Sequence, residues 1–206
     1  VRAKAPDFVQ HPSVLFFRMC AVLALATAAA GPARASGDAP AGARLAVGVE
    51  LDLLPTVLSA IDGQLGGGAN VWIGRDRVRL RAVGAYIAFP PGALTPTGFE
   101  DRELTVAAGI VDVFLRPGFV GPWAGAGLER WWSRIGSPAG PGTASWSSWV
   151  ATLGGGFVWK LWRGLYLNPW AAGHLLLSEP EVTLYGATWK PARLSAEVSL
   201  KVGWQF

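Results

Sequence analysis

Counting back from residue 206, every second position is apolar: Phe206, Trp204, Val202, Leu200, Val198, Ala196 and Leu194. Between them stand Gln205, Gly203, Lys201, Ser199, Glu197, Ser195 and Arg193. Successive residues of a strand point to opposite faces, so this period of two predicts a strand with one apolar and one polar side. The pattern returns along residues 43–53, where Leu45, Val47, Val49, Leu51 and Leu53 oppose Arg44, Gly48, Glu50 and Asp52. In residues 64–73, Leu65, Ala69, Val71 and Ile73 oppose Gln64, Asn70 and Trp72, and in 77–89, Val78, Leu80, Ala82, Tyr86 and Ala88 oppose Arg77, Arg79 and Arg81. Further strands are predicted over 103–115, 122–132, 148–160 and 164–177, which makes eight. One of them is irregular: along 103–115 the alternation carries Asp112 onto the face of Leu104, Val106, Ala108 and Ile110, and a bulge near Gly109 would repair this.

The connections between these segments alternate in length. Those at 74–76, 116–121 and 161–163 are short, whereas others, such as "PPGALTPTGFED" and "SRIGSPAGPGTAS", are longer and rich in Pro, Gly and Thr. An antiparallel meander closed on itself produces this alternation, with short turns and both chain ends at one rim and long loops at the other. The fold class expected is all-β, an eight-stranded antiparallel up-and-down transmembrane β-barrel. Aromatic residues support a membrane setting. Trp159, Trp162, Trp204 and Phe206 fall near the short-turn rim and Trp131, Trp132, Trp146 and Trp149 near the long-loop rim, as two interfacial girdles would. The alternative, a soluble core filled by Trp, is disfavoured because an eight-stranded interior has little room for 11 of them.

Composition removes other classes. Hydrophobic residues make up 51% and charged residues 16%, yet no unbroken apolar run reaches the roughly 18 residues of a spanning helix. The segment "MCAVLALATAAAGPARA" has basic residues before it (Arg2, Lys4, Arg18), an apolar stretch from Cys20 to Ala30 and an Ala33-Arg34-Ala35 site. That order predicts a signal peptide over 1–35, cleaved before Ser36, with the barrel in 36–206. Cleavage removes Arg2, Lys4, Arg18 and Arg34 but only Asp7 among the acids, so the remainder is nearly neutral. The basic pI therefore does not imply a nucleic-acid partner. The single cysteine, Cys20, leaves with the signal, so neither a disulfide nor a Cys-based metal site is expected.

The signal segment, the two-faced strands and the terminal "VSLKVGWQF" together resemble small outer-membrane β-barrels of the OmpA/OmpX type. "GPWAGAGLERW" and "LYLNPWAAGH" are similar to stretches of other outer-membrane barrels. The resemblance implies a monomer in the outer membrane of a Gram-negative bacterium, with outer-membrane lipid and lipopolysaccharide around it. It also implies that Val198, Leu200, Val202, Trp204 and Phe206 form the signal read by the barrel-assembly machinery.

The predicted inner face collects Arg44, Glu50, Asp52, Arg79, Arg81, Glu129, Lys160, His174, Glu197 and Lys201. Eight strands leave an interior that side chains fill, so these charges are expected to pair in a lumen network. The role implied is structural or surface-interacting; the alternative is a narrow pore or small-solute-binding barrel. Inward glycines at 48, 66, 68, 125, 127, 154 and 156 either seat inward Trp72, Trp123 and Trp170 or leave a cavity. A third reading is a lipid A-modifying enzyme. Such barrel enzymes use a histidine and a serine close together on one strand with a carboxylate, and here His174 is followed only by Ser178, Glu179 and Glu181. No catalytic residue is assigned, and no cofactor or metal is expected, since both "GGG" runs lie within strands and open no helix.

Overall fold

The computed structural model describes residues 45–61, 66–89 and 96–206; the expected signal peptide, its cleavage site and Arg44 lie outside them. The elements are β1 (Leu45–Asp52), α1 (Leu53–Ile61), β2 (Gly67–Arg75), β3 (Val78–Ala88), β4 (Glu100–Phe114) and β5 (Gly121–Ser137). They continue with β6 (Gly140–Trp162), β7 (Leu165–Leu176), β8 (Val182–Leu184), β9 (Ala187–Trp189) and β10 (Leu194–Gln205). Eight strands close into an antiparallel barrel in the order β1-β10-β7-β6-β5-β4-β3-β2, and β8 and β9 form a separate hairpin.

The faces of this barrel are inverted relative to a soluble protein. Leu51, Leu80, Val111, Leu153, Leu194 and Val198 are exposed on the outside, while Glu50, Arg79, Arg81, Asp112, Asn168 and Lys201 are almost completely buried. An apolar outer belt is stable only against hydrocarbon, and closure of the ring pairs the strand edges that hydrocarbon cannot solvate.

β4 departs from the expectation of a bulge. Its register with β3 runs unbroken from Val78↔Val113 to Ala88↔Glu103, and Asp112 stands opposite Arg79. The shift it does contain lies between Glu100 and Glu103. Leu104, Ile110, Asp112 and Phe114 therefore point inward and Val111 and Val113 outward. Inside the barrel Asp112 meets two guanidinium groups, which outweighs the gain from turning a mixed aliphatic file to lipid.

"SRIGSPAGPGTAS" is not a long loop. β5 and β6 stay paired through Gly136↔Thr143 to Ser137↔Gly140, joined across Pro138 and Ala139. Strand pairing satisfies backbone groups in water as it does in lipid, so the hairpin has no reason to stop at the membrane boundary. Two aromatic assignments change with it. Trp131 and Trp146 turn into the barrel end, whereas Trp132 and Trp149 remain on the outer face.

The alternation gives no hint of α1. Asp52 Oδ1 accepts the Leu54 N–H at 3.2 Å as a helix cap, and Pro55 sits in the first turn, where its missing N–H breaks no helical bond. The helix docks on β3, where the Ala88 N–H donates to Ser59 Oγ at 3.0 Å.

Apolar clusters occupy both ends of the interior. At the short-turn end, Phe119 has φ of 59° and folds its ring back against Trp72 and Phe114, centroids 5.2 and 5.5 Å away. Trp123, Val158, Tyr166, Trp170 and Ala172 complete that cluster. At the loop end, Phe99, Ile135, Trp146, Val150 and Leu176 pack under Val182 of the β8–β9 hairpin.

Candidate functional site

Between the two apolar clusters lies a charged layer set by strand register. Glu50 stands beside Asn70 on β2, Asp52 opposite Lys201 on β10, and Arg79 opposite Asp112 on β4. Arg79 Nη1 donates to Glu50 Oε1 at 2.9 Å and its Nε to Asp112 Oδ2 at 2.7 Å. Arg81 grips Asp112 with two bonds, Nε to Oδ2 at 2.7 Å and Nη2 to Oδ1 at 2.8 Å. Such bidentate pairing is the strongest arrangement a carboxylate and guanidinium can adopt.

Aromatic and amide groups extend the layer. Glu50 Oε1 also accepts from Tyr166 Oη at 3.0 Å and Asn168 Nδ2 at 3.1 Å. Tyr166 accepts the Trp72 indole N–H at 2.8 Å, and Asn168 Oδ1 that of Trp123 at 2.9 Å. Lys201 Nζ lies 3.6 Å from Asp52 and 3.8 Å from the Trp170 ring centroid, and Ser199 donates to Asp52. Arg79 also lies over the rings of Trp72, Phe114 and Trp123, and Arg81 over Trp123 and Trp170. Three buried cations, Arg79, Arg81 and Lys201, thus face three buried acids, Glu50, Asp52 and Asp112. Charge balance is what makes the layer tolerable in a medium of low polarity.

A second polar group lies closer to the loops. Glu129 accepts from Thr152 Oγ1 at 2.8 Å and from the Trp131 indole at 2.5 Å. Thr152 Oγ1 is 3.0 Å from His174 Nδ1, and His174 Nε2 is 3.2 Å from Glu197. His174 is therefore held between two carboxylates and stacked near Trp131. Ser178 instead pairs with Ser148 at 2.7 Å, while Glu179 and Glu181 form ion pairs with Arg193 and Lys190. The histidine and the serine that an esterase-like reading would need are thus engaged apart from each other.

Lys160, expected inside, is exposed at the short-turn rim. The residues that sequence reasoning missed are Asp112, Asn70, Tyr166, Asn168, Thr152 and Ser199. Asp112 carried a legible signal: it is the only acid in an otherwise apolar file, one strand away from the paired arginines.

Inward glycines give this interior its room. A Cβ on Gly48 would strike the Trp72 ring, one on Gly203 the Tyr166 ring, and one on Gly125 the Asp112 carboxylate. Overpacking a filled interior typically costs about 1–3 kcal/mol. Gly203→Ala is accordingly expected to lower barrel stability by that amount in urea titrations of vesicle-folded protein. A stability equal to wild type would mean that Tyr166 moves freely. Among the described residues, no group of three or more His, Cys, Asp or Glu side chains is arranged to hold a metal ion.

No protein-family model matches the chain, and no curated protein does. Solved structures do match. The N-terminal β-barrel domain of Pseudomonas aeruginosa OprF aligns with a TM-score of 0.43 and 18% identity, over 78% of this chain and 97% of that one. A major outer membrane protein from Thermus thermophilus aligns with a TM-score of 0.49 and 13% identity, over 79% of this chain and 100% of that one. Similarity at this level concerns the fold, which here rests on the strand ring and its two faces. With eight antiparallel strands closed into a ring, an apolar belt outside and charges within, the chain has the architecture of a small eight-stranded transmembrane β-barrel.

Proposed function

We propose that the protein spans the outer membrane of a Gram-negative bacterium as a monomer with a packed polar lumen, and that its role is structural or surface-interacting. The observation that carries this reading is the Glu50–Arg79–Asp112–Arg81 network, enclosed between the Phe119 cluster and the Ile135 cluster. A charge-balanced layer of this kind fills the cross-section and fixes strand register, and the hydrophobic clusters above and below oppose a continuous file of water. In this reading the outer-facing Val198, Leu200, Val202, Trp204 and Phe206 serve the barrel-assembly machinery. Outer-membrane lipid and lipopolysaccharide surround the belt, and the long β5–β6 hairpin with the β8–β9 hairpin forms the surface open to partners.

Two measurements test it. Protein extracted from the outer-membrane fraction and left unheated in detergent is expected to migrate differently from heated protein, as closed barrels do. In planar bilayers the same protein is expected to give no steady conductance. Discrete, reproducible current steps would overturn the packed lumen and favour the narrow-conduit reading. One observation favours that second reading: Glu50 Oε2, both Asn70 side-chain atoms, Arg79 Nη2 and Arg81 Nη1 are buried without a hydrogen-bond partner among the described residues. A small polar solute or water is the natural occupant beside such groups.

A further inference from the structure

The charges outside the lumen are distributed unevenly between the two rims. Around the loops, Glu103 pairs with Arg134 at 2.7 Å, Glu181 with Lys190 at 2.9 Å and Glu179 with Arg193 at 3.4 Å. The exposed cations there are matched by acids of the same chain, while half-buried Arg130 donates to Ser147 and lies over Trp132 and Trp149. The short-turn rim differs. It carries Arg75 and Arg77 beside the β2–β3 turn, Arg116 in the β4–β5 turn, and Lys160 and Arg163 at the β6–β7 turn, all exposed. Asp76 is the only acidic side chain in these described turns, and among the described residues no ion pair involves any of the five cations.

Their setting fixes the depth at which they act. Trp159, Leu161, Trp162, Leu115, Trp204 and Phe206 are exposed on the same rim. Arg163 lies over the Trp162 ring, 4.6 Å from its centroid. Exposed tryptophan stabilises at the boundary between hydrocarbon and headgroups, so cations interleaved with it stand at headgroup level and not out in the aqueous phase. A cation at that depth meets phosphate in the plane of the membrane before any soluble partner.

We propose that the short-turn rim is a binding collar for anionic phospholipid headgroups, with Arg75, Arg77, Arg116, Lys160 and Arg163 contacting their phosphates. The proposal rests on the reading of the chain as a membrane-spanning barrel, and charge complementarity carries it further. Five unmatched cations in the headgroup layer favour negatively charged lipid at this rim. The loop rim, where the three ion pairs neutralise the exposed cations internally, has no such preference.

The test uses the full barrel folded into phosphatidylcholine bilayers, with folding first verified by the heat-dependent gel shift. Quenching of tryptophan fluorescence by brominated phosphatidylglycerol is compared with quenching by brominated phosphatidylcholine. Trp159, Trp162 and Trp204 report from the rim itself. The relative affinity for phosphatidylglycerol is expected to exceed that for phosphatidylcholine by about tenfold at low salt. It should collapse toward unity at about 1 M salt, where charges are screened beyond roughly 3 Å. Combined Arg75→Gln, Arg77→Gln, Arg116→Gln and Arg163→Gln should abolish the preference, while Arg134→Gln with Lys190→Gln at the loop rim should leave it unchanged. Should the collar variant fail to fold, the salt titration of the wild type decides alone. Equal quenching by both lipids, or a preference indifferent to salt, would overturn the collar while leaving the barrel intact. Absence of the gel shift would instead remove the membrane reading on which it stands.

Discussion

Replacing Asp112 with alanine is expected to destabilise the barrel by about 3–5 kcal/mol, the cost of breaking a buried ion pair and leaving its cations uncompensated. Two guanidinium groups depend on this carboxylate, Arg79 through Nε and Arg81 through a bidentate pair, and both arginines are essentially inaccessible. Neither can reach water when Asp112 is lost, so both would remain charged in a site of low polarity. Glu50 compensates only in part, since it engages Arg79 by one bond and is already shared with Tyr166 and Asn168. The measurement is the midpoint of a urea titration in phospholipid vesicles, read from the fraction of protein retaining the heat-labile gel mobility. Arg134→Ala, which breaks the exposed pair with Glu103, is the control and should cost at most about 1 kcal/mol. A loss at Asp112 no larger than that of the control would show that water reaches the arginines, and the packed layer would have to be abandoned.

Leu200→Arg probes the other face. Leu200 points outward near the middle of β10, opposite Pro169 of β7, so its side chain lies near the centre of the apolar belt. An arginine at the midplane of a transmembrane barrel costs roughly 2–4 kcal/mol, falling to about 0–1 near the interfaces. Leu194→Arg, at the loop end of the same strand and on the same face, should therefore be nearly neutral. The contrast between the two positions is the diagnostic quantity, because a soluble barrel has no depth axis. Equal effects at 194 and 200 would refute the lipid-facing assignment of β10.

These two substitutions also mark where sequence reasoning reached and where it stopped. The outward file of β10 was legible because each position alternates cleanly, leaving a single way to orient the strand. The same holds for β1, where Leu45 and Leu51 face outward and Glu50 and Asp52 inward. Along β4 the alternation was equivocal: Leu104, Val106, Ala108 and Ile110 form as good an apolar file as a lipid-facing strand requires. Only the neighbouring strand breaks the tie. Once β3 turns Arg79 and Arg81 inward, register puts Asp112 opposite Arg79, and the whole file follows the aspartate into the lumen.

The hairpin of β5 and β6 and the helix α1 were missed for a different reason. Gly and Pro in "SPAGPG" signal turns locally, yet pairing across Gly136↔Thr143 continues because both strands already run side by side. For α1, the cap at Asp52 and the proline in the first turn were present in the sequence, but an apolar segment of this length is compatible with either helix or strand.

Taken by itself, the sequence determined the two-faced strands, the tight turns that join them at one rim and most of the ionisable residues of the interior. Each of these is a local property: period two, turn chemistry, and the side of a strand on which a charge falls. The tertiary structure decided which charges meet. Arg79 reaches Glu50 across β2 as well as Asp112 on β4, and Glu50 reaches Tyr166 and Asn168 on β7, more than a hundred residues away in sequence. It also turned Trp131 inward beside His174 and Phe119 back under Trp72. Those contacts arise only when the sheet closes, because closure brings residues from opposite sides of the ring into one enclosed layer, where burial makes every unmatched charge costly.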